Sequence, residues 1–145
     1  MSNTCWTTVR IYDSRENVKK LNEALENATN KVEFDGESAS WLGNLLLNCG
    51  YNREQIENMD RDEICLRGLI CGFNIEPTNP EVLTLDIESA WCPAMKALKL
   101  FVESISKTAE IYFDAEEPMC DGYWSNDPDV IAKHPDWECS IDDFC

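Results

Sequence analysis

At 145 residues the chain has the size of one domain, long enough to bury about two thirds of its unfolded surface in a single core. A formal net charge of −16, with twelve Lys and Arg scattered along the sequence, argues against direct binding to DNA, RNA or an anionic membrane, because phosphate recognition draws on clustered cations. No apolar run is long enough to span a bilayer, and the opening Met-Ser-Asn-Thr-Cys-Trp lacks the basic and apolar regions of a secretory signal.

Those features point to the reducing cytosol, where the eight cysteines would be free thiols acting as small hydrophobes. A disulfide scaffold is the competing reading, and the periodic apolar segments make staples unnecessary.

Thr4 to Tyr12 alternates, with Cys5, Thr7, Val9 and Ile11 on one side and Trp6, Thr8, Arg10 and Tyr12 on the other, which predicts a half-buried strand. Asp13 followed by Glu16 has capping-box spacing, and Val18, Leu21 and Leu25 then recur at helical intervals. After a polar connection over 31–37, Ser38 or Ser40 caps a second helix carrying Trp41, Leu42, Leu45, Leu46 and Cys49, stopped by Gly50. Asn52 and Gln55 open a short third helix with Ile56 and Met59. This helical pair, about 38–60, reads as an insertion, and it carries the acids Glu54, Glu57, Asp60, Asp62 and Glu63.

Ile64 to Ile75 is β-prone, with Gly68 and Gly72 marking bulges or close backbone approaches. The turn Pro77-Thr78-Asn79-Pro80 leads into a strand from Val82 to Glu88, so the two form a hairpin. Pro93 suits the first turn of a helix whose core stripe is Met95, Leu98, Val102 and Ile105. Ala109 to Ala115 is the last regular strand, and loops or short extended pieces are expected beyond Glu116.

The order is strand, helix, insertion, strand, strand, helix, strand. That is the βαββαβ pattern of an α+β ferredoxin-like fold, in which two helices cover one sheet face. Trp6, Tyr12 and Tyr112 then fall on the other face and need a cover.

The segment 116–145 supplies a candidate cover. It holds nine acids against Lys133 alone, a net −8 that is half of the total, together with Tyr123, Trp124, Trp137 and Phe144. Disordered acidic tails are poor in aromatics, so an ordered extension laid on the fold through Trp124 and Trp137 is expected, its carboxylates held outward.

Four segments stand out from Trp41 onward: Trp41-Leu42-Gly43-Asn44, the run Leu83-Thr84-Leu85-Asp86-Ile87-Glu88-Ser89-Ala90-Trp91-Cys92-Pro93, the run Ile111-Tyr112-Phe113-Asp114-Ala115-Glu116-Glu117-Pro118, and Gly122-Tyr123-Trp124. In these the chain resembles small phage- and plasmid-borne proteins with a YubB-type ferredoxin-like domain. It implies a fold and a mobile-element setting, and no catalytic residues to carry over.

Catalytic and metal signals are weak. Glu116 and Glu117, adjacent in an extended segment, point to opposite faces and do not converge on a cation or a proton. There is no C-x₂-C spacing, and Cys65 and Cys71 lie too far apart along one strand for a shared ion. Cys120, His134, Cys139 and Cys145 form the one metal set worth testing. His134, the sole histidine, sits in a surface-like turn without an identifiable nucleophile, and no phosphate-cradling loop or hydrolase motif occurs. No enzyme and no cofactor is expected.

The reading that results is a non-enzymatic acidic binding protein in the bacterial cytoplasm. It would inhibit a host defence nuclease, in the manner of an anti-CRISPR protein, by occupying a basic nucleic-acid groove as a DNA mimic. Glu116, Glu117, Asp121, Asp127 and Asp129 would supply charge, with Tyr123 and Trp124 as anchors. An accessory domain without a defence role, or a metal-binding module built on the C-terminal Cys and His, are the competing readings.

Overall fold

Alternation along the first segment becomes strand β1 (Thr4–Tyr12), which buries Cys5, Thr7, Val9 and Ile11 and leaves Trp6, Thr8 and Tyr12 exposed. The computed structural model describes residues 3–30, 32, 36–62 and 64–144, with backbone alone at 60–62. The connection over 31–37 is therefore described only in part, and the acids Asp60, Asp62 and Glu63 lie outside the described side chains.

Helix α1 (Arg15–Ala28) buries Val18, Leu21, Leu25 and Ala28. Its cap is Ser14 rather than Asp13, since the Ser14 hydroxyl accepts from Asn17 N–H at 3.2 Å. Asp13 serves another junction: its carboxylate accepts from Ser14 N–H, Thr108 and Ser106, joining the end of β1 to the segment after α4 (Lys96–Ile105).

The insertion forms α2 (Gly43–Leu47) and α3 (Arg53–Asp62). Neither expected serine caps α2. Its N-cap is Leu42, with no side-chain bond, while the Ser38 hydroxyl accepts from Ser40 N–H. Helix α2 starts later than the apolar pattern suggests because Trp41 is taken up elsewhere, its indole donating to Leu66 C=O at 2.7 Å. Gly50 ends the segment at φ 94°, where a side chain would be strained. At α3 the reciprocal bonds between Asn52 and Gln55 form the expected capping box.

Strand β2 (Gly68–Ile75) begins four residues later than expected, because Ile64 and Leu66 are buried in irregular chain under the insertion. A Cβ at Gly68 would lie 2.8 Å from both Glu88 C=O and Leu42 Cδ1, which explains the glycine, and a bulge falls between Ile70 and Gly72. Strand β3 (Val82–Ala90) completes the hairpin and buries Leu83, Leu85, Ile87 and Ser89. Pro93 precedes α4 instead of opening it. Its buried ring sits in an irregular segment after Trp91, whose φ of 71° breaks the strand direction.

Strand β4 (Glu110–Glu117) runs two residues further than expected, so both glutamates belong to it. The extension then adds β5 (Gly122–Ser125) and α5 (Pro128–Lys133), more regular structure than the prolines suggested. Asp127 caps α5, and Pro128 fits its first turn.

The molecule is a mixed α+β structure with a five-stranded antiparallel sheet in the order β2-β3-β1-β4-β5. One core joins Val9 and Ile11 to Val18, Leu21 and Leu25 of α1 and to Leu98, Phe101 and Val102 of α4, so these helices share one sheet face. Each fully buried Leu, Ile or Phe there contributes about 1.5–3 kcal/mol of transfer free energy. No helix among the described residues is long and apolar enough to cross a membrane.

Candidate acidic-aromatic sheet face

Strand pairing fixes what the opposite sheet face displays. Leu69, Glu88, Trp6, Glu116 and Tyr123 stand directly across from one another on β2, β3, β1, β4 and β5. The next row holds Asp86, Thr8, Asp114 and Ser125, followed by Thr84, Arg10 and Tyr112, then Val82, Tyr12 and Glu110. Antiparallel alternation therefore gathers carboxylates and aromatic rings that are remote in sequence.

One cation enters these rows, and it is engaged. Arg10 Nη1 lies 3.3 Å from Asp114 Oδ2 and 3.2 Å from Asp127 Oδ2. Asp86, Glu88 and Glu116 have no ion-pair partner among the described residues. Trp6 is 49% exposed, and Tyr12 packs edge-on against Tyr112 at 5.5 Å.

The extension covers this face only at its β5 margin. Tyr123 stacks on Trp137 at 4.8 Å, and Trp137 in turn stacks on His134 at 3.7 Å. Trp124 does not join them. It turns to the helix side, where it packs with Phe144 beside the buried Phe113. The expected cover over Trp6 and Tyr12 is therefore absent: one expected anchor, Trp124, belongs to the core margin, and both rings stay exposed.

Two further contacts fix the extension. The Asn126 side chain pairs with β4 beyond the end of β5, accepting from Phe113 N–H at 2.7 Å and donating to Ile111 C=O at 2.9 Å. Near the C-terminus Lys99 meets Asp142 at 2.9 Å; that hydrogen bond holds the Asp142 carboxyl below, and the Lys99 ammonium above, its usual range.

The acids expected to face a partner divide by role. Glu116 and Tyr123 lie side by side on the open face, as exposed neighbours. Glu117 is 1% exposed and accepts from Met119 N–H at 3.1 Å and Cys120 N–H at 2.7 Å, capping the turn Pro118–Cys120. Asp127 is taken by Arg10 and by Asp129 N–H. Asp121, in a left-handed turn at φ 53°, and Asp129 are exposed at the edge.

Around Glu116 the face is concave. A cavity of about 240 Å³ is lined by Trp6, Thr8, Asp114, Ala115, Glu116, Tyr123, Trp124 and Trp137. The tail-centred reading missed Trp6, Asp86 and Glu88. Their parity was legible, but the pairing that aligns them with Glu116 was not.

Metal-ligating residues do not assemble here. No group of three His, Cys, Asp or Glu suited to a metal occurs among the described residues. Cys120 is exposed and accepts from Asn3, Cys139 donates to Ser125 C=O, His134 stacks on Trp137, and Cys145 lies outside the described residues. Cys5, Cys49, Cys65, Cys71, Cys120 and Cys139 are free thiols. Burial pushes Cys5 and Cys139 up to about 11, while for Cys71 burial and then Glu88 raise the thiol, so none of the three is primed as a thiolate nucleophile.

No family model, curated protein or solved structure matches this chain.

Proposed function

We propose that the protein is a non-enzymatic acidic binding module that docks on a basic protein surface through its open sheet face. The observation that carries this reading is the cross-strand row Glu88, Trp6, Glu116 and Tyr123, which alternates exposed rings with carboxylates that have no ion-pair partner among the described residues. A face kept only for solubility gains nothing from a half-exposed tryptophan at its centre.

The strand order β2-β3-β1-β4, with α1 and α4 as crossovers, supports a ferredoxin-like reading in which β5 is an added edge strand. With the YubB-type resemblance, that reading favours a phage or mobile-element setting in the bacterial cytoplasm. Its partner there is the nucleic-acid groove of a host defence nuclease, such as a CRISPR effector. B-DNA carries a charge every ~1.7 Å of axis, far denser than the carboxylates of this face, so charge steers the encounter and the aromatic rings supply the residence time.

Capture from bacterial lysate at low and high salt, with the retained proteins identified by mass spectrometry, tests the proposal. A nuclease retained at low salt, released at high salt and displaced from DNA by the purified protein supports it. Recovery of no nuclease, or capture indifferent to salt, refutes it.

A further inference from the structure

We propose that the cavity beside Glu116 is a pocket for one arginine side chain of the partner, with Trp6 and Tyr123 as its walls and Glu116 as its counter-ion. The inference deepens the reading of the open face as a docking surface for a basic protein, and rests on it.

Three observations select this occupant. The first is size: about 240 Å³ falls below the roughly 300–1,000 Å³ of pockets that hold drug-sized ligands, yet a single long side chain fits. The second is shape. Trp6 and Tyr123 flank Glu116 in one cross-strand row, their backbones two strand spacings apart, roughly 9.5 Å, and both residues line the cavity that a planar group would enter. Trp137, stacked on Tyr123 and itself in the lining, braces that wall.

The third is charge. Asp114, also in the lining, is already matched by Arg10, whereas Glu116 has no cation among the described residues. A guanidinium entering the cavity would present its faces to the rings and its edge to the carboxylate, combining cation–π stacking with charge-assisted, bidentate hydrogen bonds. A lysine ammonium is neither planar nor bidentate and is more strongly hydrated, so it satisfies only part of the site.

The test titrates ¹⁵N-labelled protein with three capped pentapeptides, Gly-Ser-X-Ser-Gly, where X is arginine, lysine or citrulline, and follows the indole N–H signals of Trp6 and Trp137. The pocket predicts saturable shifts with arginine, at least fivefold weaker binding of lysine and no saturable shift with citrulline. Glu116→Gln and Trp6→Ala, both at exposed positions, should each weaken the arginine peptide at least fivefold in protein whose remaining spectrum is unchanged. Equal binding of arginine and lysine, indifference to both substitutions, or unmoved indole signals would overturn the proposal. If the indoles stay still while a nuclease is captured in a salt-sensitive way, the pocket fails and the docking face stands. Arginine binding in the pocket with no basic partner captured shows the reverse.

Discussion

Trp6 on β1 and Glu116 on β4 stand directly opposite each other in the antiparallel register, an exposed indole beside a carboxylate with no ion-pair partner among the described residues. Neither is held in the core, so their loss should separate binding from folding. Trp6→Ala is expected to change unfolding free energy by less than about 1 kcal/mol while weakening partner capture about tenfold. Urea denaturation and quantitative capture, run on the same preparation, check the two effects.

Glu117 should behave in the opposite way. Its buried carboxylate answers two backbone N–H groups, so Glu117→Ala leaves both donors without their acceptor. The expected loss is about 2 kcal/mol, read as a lower urea midpoint with unchanged slope, and capture by the folded fraction should persist.

The two tryptophans of the extension provide a second contrast. Trp124 packs with Phe144 beside the core, whereas Trp137 lies on the Tyr123 ring at the surface. Trp124→Ala is expected to cost about 2–3 kcal/mol, and Trp137→Ala about 1 kcal/mol. Thermal melts of the two variants should show the larger drop for Trp124.

This difference marks where sequence reading reached its limit. The alternation of β1, the helical stripes of α1 and α4 and the hairpin were legible because one periodic pattern dictates each. The Asn52–Gln55 box was legible because it meets a local backbone demand, and Gly68 because a glycine inside a strand pattern marks a close backbone approach. The face carried by Trp124 was not, since it depends on β5 pairing with β4 in one register, and a one-residue slip would reverse it. Glu117 looked like a surface acid for a related reason: the turn after β4, which its carboxylate caps, depends on backbone geometry that composition does not encode.

Acid titration should single out Asp13. Burial pushes its carboxyl up, but hydrogen bonds from Ser106, Ser14, Thr108 and Asn17 outweigh that and hold it below the ordinary value of 3.8. A carboxyl lowered in the folded state stabilises the fold fully above its unfolded pKa, and that contribution is lost as the pH falls through 3.8 toward the folded value. Denaturant midpoints measured from pH 7 to pH 3 should fall more steeply in the natural chain than in Asp13→Asn, with the difference confined to the acid end. Parallel curves would remove Asp13 from the account.

The most direct test of the docking face compares two pairs of charge removals that change net charge equally. Glu88→Gln with Glu116→Gln removes two carboxylates from the Trp6 row of the open face, and Asp121→Asn with Asp129→Asn removes two from the edge of the extension. Affinity for the captured nuclease, measured across a salt series, should fall at least tenfold for the first pair, with a flatter salt dependence, and stay within about twofold for the second. Equal losses from both pairs, or a larger loss from the second, would contradict the claim that the open sheet face is where this protein binds.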